Sequence, residues 1–275
     1  MKKFLVPIDF SDTSKNAAKY AAQMLNGKAD TQLILYYVYD SVTAGADGSI
    51  LTEDDNDRKI VLDTAFEHVK EELNALSDVA VTYVAEQGDT LVENIDRYAR
   101  HHDIDLIIMG ITGATKLEQV FIGSNTLKLA AEGNVPVMII PPDANFTEIK
   151  EVGITCDFKD VATTIPVEPI RKLLRIFNPK LYIINVDVEH YVDLTPEYKA
   201  EKEKVDQYFA EFNPDYAFIR MYDFIEAIDT FAKDKEIDFI ITIPKKHGFL
   251  GSLFKSSTTK KLAYHSHIPI VAIHE

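Results

Sequence analysis

Short apolar segments alternate with longer amphipathic segments along the first half of the chain. The short segments are rich in β-branched residues and have the length of buried strands, whereas apolar residues recur every three or four positions in the longer ones, as they do in helices. The pattern predicts five strands, at residues 4–8, 33–38, 79–84, 106–109 and 135–140. Strands that alternate with helices form parallel sheets covered by helices, so the predicted fold class is α/β.

The first predicted helix has its own start and stop signals. Ser11 is a residue type that commonly caps helices, and Gly27 is a type that commonly ends them. The apolar residues between them fall on one helical face; they are Ala17, Ala18, Ala21, Met24 and Leu25. We therefore expect a helix between the first two strands that packs on the sheet through this face.

The second half of the chain repeats the order of the first. A shift of 148 residues places residues 4–10 over residues 152–158, so an apolar strand that ends in Asp-Phe occurs twice. A shift of 133 residues superimposes Leu129-Ala130 on Leu262-Ala263. The shifts differ by 15 residues, which indicates an insertion in the first repeat, most evidently at residues 40–59. This acidic segment without clear periodicity fits either a lid over a site at the strand ends or a mobile surface loop.

A length of 275 residues suits two domains better than one. A Pro-Pro pair interrupts regular structure near the middle, so we predict one doubly wound domain at residues 1–144 and a second at residues 145–275. The last strands of the repeats, at residues 135–140 and 268–273, are apolar, and each would otherwise leave a sheet edge exposed. We therefore expect these strands to pair in an internal pseudo-dimer.

The composition is that of a soluble folded protein, with 46% hydrophobic and 27% charged residues. The net charge of −15 disfavours binding to nucleic acid, because like charges repel. No apolar run approaches the roughly 18 residues of a membrane span, and no secretory signal is evident, which favours a cytoplasmic protein. The single cysteine, Cys156, excludes an internal disulfide and fits a small buried core residue.

Three glycines and a serine form the sharpest local feature of the sequence. Gly110 and Gly113 follow the fourth predicted strand, and Gly123 with Ser124 precedes a helical pattern at residues 125–132. Glycine allows close approach to the backbone, and the N–H groups of a helix N-terminus attract anions. On this reasoning alone, the segment is either a phosphate site or a tight strand-to-helix loop.

The spacing Gly-x2-Gly-x9-Gly-Ser resembles the nucleotide-binding signature of the universal stress protein family. The segment Val6-Pro7-Ile8-Asp9-Phe10-Ser11 is similar to the first strand of that family with its Asp-x-Ser, and Val135-Pro136-Val137 is similar to the start of its last strand. The likeness covers both repeats. It implies two Rossmann-like domains of the adenine nucleotide alpha hydrolase-like type, each with a five-stranded parallel sheet, and it implies ATP binding where the glycine signature is intact.

Carried over position by position, the resemblance assigns the ribose hydroxyls to Asp9 and the adenine to the backbone around Val38. Gly110 and Gly113 would border the ribose and the phosphates. The full set that it assigns to the nucleotide is Pro7, Ile8, Asp9, Val38, Met109, Gly110, Gly113, Gly123, Ser124 and Asn125. The implied cofactor is ATP or a related adenine nucleotide, with or without Mg²⁺.

The second repeat departs from this pattern. The shift of 133 places Ile243, Lys246 and Ser256 where the first repeat has its glycines, and it retains only a hydroxyl, at Ser257. Asp157 still corresponds to Asp9. Nearby lysines form a basic loop; they are Lys245, Lys246, Lys255, Lys260 and Lys261. The loop is either a solvated surface or a site for an anionic ligand or an acidic partner.

Motifs of other nucleotide enzymes are missing, since the chain has neither a Gly-x4-Gly-Lys phosphate loop nor a Gly-x-Gly-x-x-Gly after its first strand. The paired histidines at 101–102 and 265–267 lack the partners of a metal site. We therefore expect a stress-response or regulatory protein that binds an adenine nucleotide in repeat one and has no catalytic residues, alone or as a homodimer. The alternatives are a partner- or small-ligand-binding scaffold without nucleotide dependence and a slow nucleotide hydrolase.

Overall fold

A computed structural model describes residues 1–39, 43–44, 50–51, 55–88, 90–111, 123–186, 195–221, 223–244 and 268–274. The first half contains β1 (Lys2–Pro7), α1 (Asp12–Leu25), β2 (Thr31–Tyr39), β3 (Thr43–Ala44), β4 (Ile50–Leu51), α2 (Asp55–Asn74), β5 (Ala80–Gln87), α3 (Leu91–His101), β6 (Leu106–Gly110), α4 (Ser124–Glu132) and β7 (Val137–Ile140). The second half contains β8 (Glu151–Thr155), α5 (Val161–Thr164), α6 (Val167–Phe177), β9 (Lys180–Val186), α7 (Pro196–Phe209), β10 (Asp215–Ile219), α8 (Phe224–Asp234), β11 (Phe239–Thr242) and β12 (Ile270–Ala272).

Ten of these strands form one sheet in the order β10-β9-β8-β11-β12-β7-β6-β1-β2-β5. The strands are parallel within each half, and the halves meet where β7 and β12 run antiparallel. Each half has the same internal order, since β1 lies between β2 and β6, and β8 lies between β9 and β11. The predicted α/β fold, with a five-stranded parallel sheet in each repeat, is confirmed.

The pairing of β7 with β12 confirms the predicted pseudo-dimer. Met138 lies opposite Val271, and Ile139 lies opposite Ile270. Met138 and Val271 are also related by the sequence shift of 133, so the approximate twofold axis between the repeats passes through this pair. Both strands are shorter than predicted, because each begins just after a proline, whose nitrogen has no hydrogen to donate to the ladder.

Residues related by each sequence shift have the same unusual backbone conformation. Phe10 and Phe158, which are related by the shift of 148, have left-handed φ angles of 61° and 51°. Asp103 and Glu236, which are related by the shift of 133, have left-handed φ angles of 52° and 53°. Such angles are uncommon for residues other than glycine, so their recurrence at matching positions indicates the same turns in each half.

An aspartate closes the amino end of the first strand in each repeat. Asp105 accepts a hydrogen bond from the backbone N–H of Lys3 at 2.8 Å. Its counterpart Asp238 accepts from the N–H groups of Lys150 at 2.6 Å and Glu151 at 2.8 Å. These N–H groups lie at the entrance of β1 and β8, so the two carboxylates hold equivalent strands in place.

One face of the sheet carries a core that is continuous between the halves. The helices α1, α2, α6 and α7 contribute buried residues to it. The opposite face has separate cores, one beneath α3 and α4 and another beneath α8. The connecting residues 141–150 run over the shared core. Asn16 donates to the carbonyls of Pro141 and Ala144 at 3.3 Å each. Phe146 packs edge-on against Tyr20.

Helix α1 begins and packs as predicted, since Ser11 caps it and all five residues of the predicted face are buried.

Three other expectations need correction or stay open. The predicted insertion at residues 40–59 contains the antiparallel pair β3 and β4 and the start of α2, and the rest of it lies outside the described residues. Cys156 is half-buried at the edge of the core rather than fully buried. The domain boundary at residues 144/145 stays a prediction.

None of the helices in the described ranges is both long enough and apolar enough to span a membrane.

The carboxylate at the entrance of β8 gives a test of the fold. Replacing Asp238 with alanine leaves two backbone N–H groups without their acceptor, so we expect the free energy of unfolding to fall by about 1 to 2 kcal/mol. Urea unfolding followed by tyrosine fluorescence measures the change, because the chain has 13 tyrosines and no tryptophan.

The matched control is Asp234→Ala. Asp234 is exposed at the last position of α8, where a negative charge opposes the helix dipole, so its removal leaves stability unchanged or slightly raised. Equal losses from the two variants would contradict the role given to Asp238.

Candidate functional site

The carboxyl ends of β1 and β6 lie side by side in the first repeat. The chain leaves β1 through α1 toward β2 on one side, whereas β6 pairs with β1 on the other side. The strand order therefore reverses at β1, and ligands of open α/β sheets bind at such switch points. Asp9 follows β1, Gly110 ends β6, and Gly123 precedes α4, so three of the predicted site residues meet at this edge.

Asp9 is held by the turn that leads into α1. The left-handed Phe10 turns the backbone so that Ser11 faces the carboxylate. The Ser11 N–H donates to Asp9 Oδ1 at 3.1 Å, and the Ser11 hydroxyl donates to the same oxygen at 2.5 Å. The Asp9 side chain is nevertheless exposed to solvent.

The charge of Asp9 is set by opposing effects. Burial of part of the carboxyl group raises its pKa, but hydrogen bonds from the Ser11 and Ser14 side chains and from the Ser11 N–H outweigh burial. The pKa of Asp9 therefore lies below its ordinary value. An ionised carboxylate only accepts hydrogen bonds, so at neutral pH Asp9 suits a ligand that offers hydroxyl groups.

Gly110 allows α1 to approach the end of β6. A β-carbon at this position would lie 2.8 Å from the carbonyl oxygen of Thr13, which is in the first turn of α1. Gly110 is therefore required by packing, whether or not a ligand also approaches its backbone. This contact supports the tight-loop interpretation of the glycine, and it is compatible with a ligand role.

The start of α4 has features of an anion site. Its cap is Gly123, which has no side chain to accept from the first-turn N–H groups, and the first turn carries no acid. Ser124 and Asn125 are exposed. The hydroxyl of Thr126 donates to the carbonyl of Gly110 at 3.1 Å, which fixes this helix end against β6.

The remaining predicted site residues contribute backbone at most or lie outside the described ranges. The side chains of Pro7, Ile8 and Met109 are buried, so only their main-chain atoms can meet a ligand. Val38 is half-buried near the end of β2, opposite Glu86 of β5. Gly113 lies outside the described residues.

A polar cluster beside Val38 was not indicated by the sequence. The hydroxyl of Tyr36 donates to Glu86 Oε2 at 2.7 Å, and Arg97 donates to the same oxygen at 2.6 Å. Burial, and then Glu86, raise the pKa of Tyr36. Tyr36 and Glu86 are separated by 50 positions, and only the pairing of β2 with β5 brings them together.

The corresponding edge of the second repeat is different. Asp157 is exposed and accepts from the Lys159 N–H at 3.1 Å, as Asp9 does from Ser11. Ile243, in place of Gly110, is buried. The first helix is divided into α5 and α6, with Pro166 as the cap of α6. Lys246, Ser256, Ser257 and the basic loop lie outside the described residues.

Within the described ranges, no group of three or more histidine, cysteine, aspartate or glutamate side chains is arranged to hold a metal ion. His102 stacks on Tyr98 at 4.0 Å between ring centroids, and its carbonyl accepts from Lys3 Nζ. Residues 265–267 are not among the described ones.

The sheet order, which reverses at β1, defines a doubly wound α/β protein. The model of the universal stress protein family matches residues 1–141, which is just over half of the chain. The chain therefore belongs to the universal stress protein family.

Two curated relatives come from Methanocaldococcus jannaschii. Universal stress protein MJ0577 is 27% identical over 158 residues, which cover 50% of this chain and 94% of the relative. Universal stress protein MJ0531 is 26% identical over 147 residues, which cover 50% of this chain and 81% of the relative. Each relative thus aligns over most of its own length with half of this chain, as expected for a tandem arrangement.

The crystal structure of a universal stress protein from Archaeoglobus fulgidus is similar over the whole length. It covers 99% of this chain and 98% of its own, with a TM-score of 0.68 and 16% identity. This likeness shows that the two chains share a fold.

The contact between Gly110 and Thr13 gives a test of the local packing. Gly110→Ala places a methyl group against backbone that cannot move without shifting α1, so we expect a loss of about 1 to 3 kcal/mol in the free energy of unfolding. Urea unfolding measures this loss.

Gly153→Ala is the matched control. Its added β-carbon would lie 2.7 Å from Ile184 Cδ1, the end of a flexible side chain that can rotate away. We expect a smaller loss for this variant. A larger loss at Gly153 than at Gly110 would mean that α1 is not held close to β6.

Proposed function

We propose that this protein is a nucleotide-responsive stress protein that binds ATP or a related adenine nucleotide at the carboxyl ends of β1 and β6 in repeat one. The observation that carries the proposal is the meeting of Asp9, the backbone at Gly110 and the uncapped start of α4 at one switch point. A carboxylate that accepts from hydroxyl groups and a helix end that attracts phosphate have the chemistry that a nucleotide requires.

In this proposal each end of the nucleotide meets a different element. The ribose hydroxyls donate to Asp9, and the adenine contacts the backbone around Val38 near the end of β2. The phosphates approach the backbone at Gly110 and Gly113 and the N-terminus of α4, where Gly123, Ser124 and Asn125 begin the helix. A Mg²⁺ ion bound with the phosphates would offset their charge.

Binding is assigned to repeat one because repeat two has side chains where the phosphates would need bare backbone. Ile243 replaces Gly110, and Lys246 and Ser256 replace the other two glycines. Repeat two does retain the aspartate, since Asp157 corresponds to Asp9. We therefore expect one nucleotide per chain and a role in binding rather than rapid turnover.

Calorimetry with ATP tests the proposal through the two matched aspartates. Asp9→Ala removes a charged acceptor of the ribose hydroxyls, so the affinity should fall by about 10- to 150-fold, which corresponds to about 1.5 to 3 kcal/mol. Asp157→Ala should leave the affinity nearly unchanged. Thermal melting of each variant checks that the fold is intact.

Other outcomes would indicate a different site or a different function. Equal losses from the two variants, or no loss from either in a protein that binds ATP, would place the site at other residues. Absence of ATP binding by the wild-type protein would favour a scaffold that acts without nucleotide. Release of ADP during long incubation would indicate slow hydrolysis.

A further inference from the structure

We propose that Ser11 is a positioning residue of this site, whose hydroxyl holds the Asp9 carboxylate in the orientation and charge state that ligand hydroxyls require. The inference deepens the proposed function and rests on it. It concerns the side chain of Ser11, which the sequence indicates as a helix cap and as part of the Asp-x-Ser segment, without a role toward Asp9.

The geometry gives the Ser11 hydroxyl two simultaneous roles. As a donor, it makes the 2.5 Å contact with Asp9 Oδ1. As an acceptor, its oxygen receives the N–H of Ser14 at 3.3 Å and so caps α1. A hydroxyl has one proton to donate and lone pairs with which to accept, so both bonds can form at once.

Neighbouring hydroxyls support this arrangement. Thr13 Oγ1 lies 3.1 Å from Ser11 Oγ, and Ser14 Oγ accepts from the backbone N–H of Asp9 at 3.3 Å. The first turn of α1 therefore holds both the backbone and the side chain of Asp9. Hydrogen bonds from a hydroxyl to a charged carboxylate are short and strong, so the Ser11 bond opposes both rotation and protonation of Asp9.

The second repeat provides an internal comparison. Phe158 repeats the left-handed turn of Phe10, and the N–H of Lys159 repeats the backbone bond to the acid at the same distance of 3.1 Å. Lys159 has no hydroxyl. The two acids thus share a backbone geometry and differ in the bond that Ser11 adds, so the repeats diverge at this position as well as at the glycines.

Charged groups do not account for the state of Asp9 within the described part of the chain. The elements around it carry Asp12 and Lys15 on α1 and Lys128 on α4. None of these forms an ion pair with Asp9, and the main effects that lower its pKa are hydrogen bonds. The Ser11 hydroxyl is the largest of these lowering effects, which makes it the one to remove.

The test compares two replacements of Ser11. Ser11→Gly removes the hydroxyl and keeps a residue that is tolerated as a helix cap, whereas Ser11→Thr keeps the hydroxyl. We expect ATP affinity at neutral pH to fall by about 5- to 10-fold in the glycine variant, since one hydrogen bond to a charged group is lost indirectly. The threonine variant should stay within about twofold of the wild type, and thermal melting checks both folds.

The pH dependence separates positioning from a structural role. A carboxylate whose pKa is lowered stays ionised as the pH falls toward about 4, where an ordinary aspartate takes up its proton. The ratio of glycine-variant to wild-type affinity should therefore fall as the pH is lowered toward that range. Taking the ratio at each pH removes the effect of ATP protonation, which is the same for both proteins. The protein is kept dilute, because it carries little net charge near its pI of about 5.0.

The carboxyl ¹³C signal of Asp9, titrated by NMR without ATP, gives a readout that does not depend on the proposed function. We expect Asp9 to titrate at higher pH in Ser11→Gly than in the wild type and Ser11→Thr proteins. An unchanged titration overturns the inference, even if the wild type fails to bind ATP. A loss of affinity in Asp9→Ala but not in Ser11→Gly overturns it as well and leaves the nucleotide proposal standing.

Discussion

The antiparallel pairing of β7 with β12 is the interaction on which the rest of the structure depends. β7 has β6 as its parallel neighbour, and β12 has β11. Without their pairing, β7 and β12 would each expose a row of backbone N–H and C=O groups. The pairing satisfies both rows at once. It also places equivalent faces of the two halves on the same side, which lets Met138 and Val271 join one core that extends across both repeats.

The same pairing separates the strand ends of the two repeats. Because β7 and β12 run in opposite directions, the carboxyl ends of the strands point to opposite edges of the sheet in the two halves. Asp9 and its counterpart Asp157 are therefore on different edges. Ile243 in place of Gly110 thus alters one edge without disturbing the packing of α1 on β6 at the other. The geometry therefore allows the strand ends of one repeat to change without affecting those of the other.

In the first repeat, structural roles and the proposed ligand roles fall on the same few residues. Gly110 is needed for α1 to approach β6, and Ser11 both caps α1 and bonds to Asp9. The left-handed Phe10 makes this possible by turning the chain, and its ring packs against Tyr37 and Phe66. Such packing offsets the cost of an unfavourable backbone angle.

The sequence by itself determined the strands, the first helix, the tandem repeat and the pairing of the last strands. These follow from local periodicity and from the general cost of an exposed sheet edge, which act on short segments or on the chain as a whole. It also indicated Asp9 and the glycines as a site, because Asp9 follows a predicted strand, the glycines lead into a predicted helix, and both resemble the signature of the family. Only the tertiary structure decided that Gly110 contacts Thr13, that Glu86 joins Tyr36 to Arg97, and that Cys156 stays half-buried. These features depend on how the strands pair and how the helices pack on the sheet, which periodicity does not encode.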